Sequence, residues 1–296
     1  MNEEFLYNSP LVFYEFLLLN TMTEIYVERK KTSNPDWMEY SNLLIDKFAI
    51  HSSTFFHLSK GIIVHKKSGE QVKMKGYDLF TVHTTFRAIL ETYITYNHIF
   101  VEPISNSEKE LKFLLWKLDG YYQKQKFEIY TTDFDGAESI LNQNQKDIES
   151  LVNRIEVHPF LSTIKKGQES KIFNPTKKKA NWKFTFRNNN LKLLKIIELV
   201  KHCCKERAFI NIYKYASIHT HSNYPAIEDF RKTRGIPISN EKTDSLTRLA
   251  IYLTCLMIYD IASIDSNAQK KLDSFPLPLK SFINGMSVSI KSDGAK

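Results

Sequence analysis

The chain has 296 residues, a formal net charge of +8 and a pI of about 9.1. Its 42% hydrophobic and 13% aromatic content supplies ample material for a core and excludes a disordered or fibrous chain. Nine glycines are few for this length, which argues against Rossmann-type and all-β folds, since both spend glycine on phosphate loops and tight turns. Residues 9–30, rich in Leu and Phe, read as a first helix. The second is expected to begin at Asn34-Pro35, an N-cap followed by proline at the first helical position, with Tyr40, Leu44, Phe48 and Phe55 on its apolar face. Residues 61–76 read as a connector or short hairpin.

From about 77 to 101 the spacing predicts the clearest helix. Leu79, Val82, Phe86, Ile89, Tyr93, Tyr96 and Phe100 alternate steps of three and four, the pattern of a bundle seam. Pro103 stops it. Ser107-x-x-Glu110 reads as a capping box, and Leu111, Leu114, Leu118 and Tyr121 follow at helical spacing. A polar helix is expected over 136–156.

Residues 157–190 read as an exposed basic insertion. Lys165, Lys166, Lys171, Lys177, Lys178, Lys179, Lys183 and Arg187 face a single acid, Glu169, and Trp182, Phe184 and Phe186 alternate with polar residues as in a short strand. One long helix is predicted from Leu191 to about Thr220, limited by Pro225. An apolar helix from Thr243 to about Ile264 reads as the centre of the bundle. The longest apolar stretches, such as Leu249 to Ile258, fall short of the roughly 20 residues that span a bilayer. Phe275-Pro276-Leu277-Pro278 reads as the end of regular structure, leaving residues 271–296 as a loose tail. The expected fold is all-α, a single bundle of about seven to nine helices over residues 1–270.

The three cysteines, Cys203, Cys204 and Cys255, form no C-x-x-C pair and point to a reduced, cytoplasmic protein. The start, MNEEFLYNSP, is acidic and lacks the basic n-region of a signal peptide, so neither secretion nor a membrane partner is expected.

Two polar triplets stand out from this background. His83, Arg87 and Glu91 recur every four residues in one helix, and Tyr213, Ser217 and His221 do so in another. A step of four turns a helix by about 400°, so each triplet lies along one narrow stripe. Polar groups in apolar helices are costly unless paired, so the stripes are expected to face each other or a ligand.

On these residues the chain resembles a bacterial helical family of unknown function. The marks are Arg-x-x-x-Glu, here Arg87 to Glu91, and Tyr-x-x-x-Ser-x-x-x-His, here Tyr213, Ser217 and His221, with a tryptophan, Trp182, shortly before the second helix. The resemblance covers roughly residues 40–265 and implies an α-helical domain with these polar residues gathered inside. A more distant likeness is to the HEPN helical bundles, many of them ribonucleases of toxin and antiphage systems. Their mark is Arg, four to six residues, then His. This chain departs from it: Arg154 and His158 have three residues between them, and Arg207 lies too far before His219.

The same side chains support three readings. As a metal-independent nuclease or nucleotide-handling effector, Arg87 grips a phosphate, His221 is the acid or base, Glu91 orients them, and Tyr213 and Ser217 donate hydrogen bonds. As a non-catalytic sensor or scaffold, the cluster is an internal salt bridge that fixes helix register. As a metal site, His83, Glu91, His219 and His221 are the ligands, although His219 and His221 diverge by about 200° on a helix. The first is the expectation, with the second as its alternative and no cofactor. Lys177, Lys178, Lys179, Trp182, Lys183 and Arg187 form a candidate contact to RNA or single-stranded nucleic acid, lysines on phosphates and tryptophan against a base. A protein partner from the same operon or a homodimer is the other expected association.

Overall fold

The computed structural model describes residues 9–29, 36–74, 79–127, 130, 135–221, 223–233 and 240–293. Helix α1 (Pro10–Phe16) starts with proline in its first turn and runs through a wide π turn, Leu17–Met22, into α2 (Thr23–Arg29). The long α3 (Asp36–Lys60) follows; the start expected at Asn34-Pro35 lies outside the described residues. Strands β1 (Ile62–His65) and β2 (Gln71–Met74) form an antiparallel hairpin with Ile62 opposite Met74 and His65 opposite Gln71, the hairpin the connector suggested.

Helix α4 (Leu79–Tyr96) carries the predicted seam, with Val82, Phe86, Ile89, Tyr93 and Tyr96 buried. Helix α5 (Asn106–Lys124) is capped by Ser105, whose hydroxyl accepts from the Glu108 amide at 3.1 Å, while the Glu108 carboxylate accepts from the Ile104 amide at 3.2 Å. The capping box is therefore Ser105/Glu108, not Ser107/Glu110: the helix begins two residues earlier and uses the first serine available to it. Helix α6 (Ala137–Glu156) starts after Gly136, at φ +87°.

The basic segment folds into two short helices, α7 (Pro159–Thr163) and α8 (Glu169–Ile172), and two hairpins. In one, β3 (Phe173–Asn174) pairs with β4 (Lys179–Ala180); in the other, β5 (Phe184–Arg187) pairs with β6 (Asn190–Leu193). The single helix expected from Leu191 does not form. Residues 190–193 are strand, α9 (Ile196–Cys204) ends where Lys205 turns to φ +56°, and α10 (Arg207–Thr220) restarts behind Glu206, whose carboxylate accepts from the Ala208 amide. Pro225 sits in the first turn of α11 (Tyr224–Thr233). After α12 (Asn240–Ile264) come α13 (Ser266–Ser274), capped by Asp265, and α14 (Leu277–Asp293). The tail expected to be loose from residue 271 is thus helical as far as described, with Leu272, Leu279 and Ile283 buried. Pro276 breaks the chain only between α13 and α14, because Pro278 is tolerated in a first turn. Among the described residues the fold is all-α in character, with more helices than seven to nine and only small two-stranded sheets.

The chain divides into two compact units. Unit 1 is Met1–Asn97 with Val200–Lys296; unit 2 is His98–Leu199. In unit 1, α4 packs against α3 on one side and α10 on another, while α12 contacts α1, α4, α13 and α14. Aromatic rings link these layers: Tyr14 meets Phe55 edge-on at 6.0 Å, and Phe55 meets Phe86 at 5.9 Å. Each such fully buried ring contributes about 1.5–3 kcal/mol of transfer free energy. Within α12 the 21-residue stretch Asp244–Ile264 is long and apolar enough to cross a membrane, longer than the run expected from sequence, and 67% of its apolar window is buried in the protein. In unit 2, α5 packs on α6, on α7 and on β4. Phe160, Trp182, Phe184, Phe186 and Leu191 are buried there, so the basic segment is built into its unit and not an exposed excursion.

Candidate functional site

Of the two polar stripes, three side chains meet. The Arg87 Nε donates to Glu91 Oε1 at 2.9 Å, and its Nη2 donates to the Tyr213 hydroxyl at 3.2 Å. That hydroxyl donates in turn to Glu91 Oε1 at 2.9 Å. The triangle closes on itself, and the guanidinium also lies 4.9 Å from the centre of the Tyr213 ring. It joins α4 to α10 at the surface of unit 1, with the Arg87 side chain 22% and the Glu91 side chain 41% exposed. Burial pulls the Arg87 pKa down, but Glu91 and Tyr213 outweigh it and the net shift is upward. Burial, reinforced by the Glu91 charge, pushes the Tyr213 phenol up, so it stays a donor at neutral pH.

The other stripe members go elsewhere. Ser217 donates back to the Tyr213 carbonyl of its own helix at 2.9 Å. His221 follows the last helical residue, at φ −102° and ψ 11°, and is exposed; it makes no hydrogen bond or ion pair among the described residues. The helical stripe therefore stops one residue short of it. His83 meets His219 instead, their rings stacked at 5.0 Å with 13° between planes.

His219 belongs to a second cluster that the triplets did not include. It lies four residues beyond Tyr215, whose ring is 4.5 Å away edge-on. The Tyr215 hydroxyl donates to Asp229 Oδ2 at 2.8 Å; burial, reinforced by this bond and the Asp229 charge, raises its pKa to about 12. Burial lowers the His219 pKa, only partly opposed by the Asp229 carboxylate 3.8 Å from Nε2. Next to this cluster is a cavity of about 410 Å³ lined by Phe80, Thr81, Thr84, His219, Thr220, Ile227 and Phe230. Tyr215 and His219 could have been found from their spacing. Asp229 could not, because it comes from another helix. Among the described residues His83, Glu91, His219 and His221 do not converge as a ligand set: Glu91 is engaged with Arg87 and Tyr213, and His221 faces solvent.

The proposed nucleic-acid contacts separate into two groups. Lys177 and Lys178 are exposed and Lys179 half-buried at the β3–β4 turn. Trp182 is 7% exposed, with the Lys183 ammonium 4.6 Å from its ring centre, so it presents no open face to a base. Arg187 is drawn inward. It pairs with Glu102 and reaches Glu108 at 3.4 Å, while the fully buried Lys112 bonds Glu102 at 2.8 Å and Glu108 at 3.0 Å. This network of two acids and two bases holds the β5–β6 hairpin to α5, and it engages Arg187, whose side chain stays 38% exposed. Cys203, Cys204 and Cys255 form no disulfide among the described residues and are buried; desolvation pushes the thiols of Cys204 and Cys255 well up, away from reactivity.

No curated protein and no solved structure matches the chain. The sequence profile of a family of unknown function, DUF5677, matches residues 71–235, more than half of the chain and narrower than the 40–265 expected. The matched stretch contains α4 and α10, with Arg87, Glu91, Tyr213, Ser217 and His221. The chain therefore belongs to DUF5677, a family of unknown function.

Proposed function

We propose that this protein is a non-catalytic helical module, a sensor or scaffold, in which Arg87, Glu91 and Tyr213 clasp α4 to α10. The observation that carries this reading is the closed triangle. The Tyr213 hydroxyl both accepts and donates within it, and one Glu91 oxygen accepts from both partners. A general base must stand within hydrogen-bond reach of the group it serves, and His221 lies outside the cluster. The reduced cysteines agree with a cytoplasmic setting, and the associate of such a module would be another protein or a second copy of the chain.

The competing reading is a HEPN-like, metal-independent nuclease of an antiphage or toxin-like system. It draws on the +8 charge and on the partial exposure of Arg87 and Glu91. One experiment separates the two. Wild type, Arg87→Ala, Tyr213→Phe and His221→Ala are incubated with total RNA, tRNA and single-stranded DNA, with and without EDTA, and melted in parallel. The clasp predicts no cleavage and an unchanged melting point for His221→Ala. Tyr213→Phe should lose about 1 kcal/mol, or roughly 2–4 °C. Cleavage that survives EDTA and vanishes in a folded His221→Ala protein would overturn it.

A further inference from the structure

Between residues 165 and 183 unit 2 carries seven lysines and one acid, Glu169, so this short segment holds +6 of the chain's net +8. Lys165, Lys166, Lys171, Lys177 and Lys178 are exposed, and none of the seven forms an ion pair among the described residues. The nearby cations that are paired, Lys112 and Arg187, are held by Glu102 and Glu108. The backbone under the exposed lysines is fixed. The Lys165 carbonyl accepts from the Gln168 amide at 2.9 Å across a turn in which Gly167 takes φ +87°. At the β3–β4 tip the Asn174 side chain accepts from the Lys177 amide at 3.0 Å, the Pro175 carbonyl accepts from the Lys178 amide at 3.0 Å, and Lys178 takes φ +47°. Helix α8 joins the two turns.

What this surface lacks selects its partner. Single-stranded nucleic acid is held by open aromatic faces on which bases stack, and here Trp182, Phe184 and Phe186 are all buried. A membrane-docking segment inserts apolar side chains, and no large hydrophobic residue between 158 and 195 is exposed. Lysines on a rigid turn-and-hairpin frame remain, and they suit the densest regular array of phosphates, about one charge per 1.7 Å along a double helix. We propose that the α7–β4 segment is a docking surface for the phosphate backbone of a nucleic-acid duplex, without base readout. The surface is independent of the α4–α10 clasp and stands whether or not that clasp is structural.

The test is fluorescence anisotropy of the full chain with labelled duplex DNA, duplex RNA and single strands of the same length, across a salt series. Phosphatidylserine vesicles form a further arm. Five engaged lysines give a slope of log K against log salt of about −4.5 on duplex DNA. The variant Lys165→Gln/Lys166→Gln/Lys177→Gln/Lys178→Gln should flatten that slope to about −1. It should also bind at least tenfold more weakly at moderate salt. The control Lys146→Gln/Lys214→Gln, exposed lysines elsewhere, should behave as wild type. If the fourfold variant does not fold, judged by helicity and melting, the pairs Lys165→Gln/Lys166→Gln and Lys177→Gln/Lys178→Gln take its place, each with about half the loss of slope. The proposal is overturned by tighter binding to single strands than to duplex, by binding to vesicles alone, by no binding in low salt, or by an equal loss in the control pair.

Discussion

Replacing Lys112 by methionine isolates the electrostatics of unit 2 from its packing. Methionine keeps most of the buried stem, so what is lost is the ammonium and its bonds to Glu102 at 2.8 Å and Glu108 at 3.0 Å. Both Lys112 and Glu108 are fully buried. At about 3 Å and an effective dielectric near 20, each contact is an attraction of about 5–6 kcal/mol before desolvation is counted. With the ammonium gone, Glu108 keeps only the Ile104 amide at 3.2 Å and the long contacts to Arg187 at 3.4 and 3.5 Å. Orphaning a buried charge in this way costs about 3–5 kcal/mol. With a urea slope of about 2 kcal/mol/M, the unfolding midpoint should drop by about 2 M, read by hydrogen exchange in α5 and the β5–β6 hairpin. Adding Glu108→Gln removes the orphaned charge and should restore at least half of the loss. A cost below 1 kcal/mol for Lys112→Met, or a double variant no better than the single, would refute the network as the clamp of unit 2.

Two further outcomes follow from unit 1. The lowered pKa of His219 means that the unfolded chain binds a proton more readily than the native one, so the stability this site contributes is present above pH 6.5 and lost as pH falls below it. Melting temperature should fall between pH 7.5 and 5, less steeply in His219→Phe; an identical pH profile would show that His219 titrates as freely as in the unfolded chain. His51, lowered by burial and by Lys47, adds to the same slope and remains in that variant. Lys205 occupies the left-handed region at φ +56° after α9, where an L-residue costs about 1–2 kcal/mol. Lys205→Gly should therefore raise the melting point by roughly 2–4 °C, and a lower melting point would mean that the lysine side chain offsets its backbone strain.

The long amphipathic elements were legible because packing and pattern agree. The α4 seam from Val82 to Tyr96 is buried as its spacing implied, and Arg87, Glu91 and Tyr213 meet as their stripes implied. The failures share a physical cause, which is that local signals were absent or ambiguous. The break at Lys205 uses neither glycine nor proline, so the run from 191 to 220 read as one helix. Once α10 ended at Thr220, His221 could not follow the stripe of its sequence spacing. Two serines stood near the start of α5, and only the geometry of the Ile104 and Glu108 amides distinguishes Ser105 as the cap. The lysine density of 165–183 hid an apolar underside, because alternation in a hairpin sends Phe184 and Phe186 inward while their neighbours stay partly exposed. Asp229 reaches the His83–His219 pair from α11, a contact across helices that no local periodicity encodes.

The sequence order of unit 1 bears on how the chain can be made. Its two halves are separated by all of residues 98–199. The α4 seam emerges early during synthesis, yet α10 and α12, which cover it, are added only after the intervening unit is complete. Closing so long a loop slows assembly more than it weakens the finished fold. Over that interval Phe86 already has Phe55 of α3, but Tyr93 waits for Asp260 of the apolar α12, which arrives late with α13 and α14 behind it. The period of greatest aggregation hazard is therefore this wait for the second half, and a chaperone acting on the nascent chain would find its binding surface on α4.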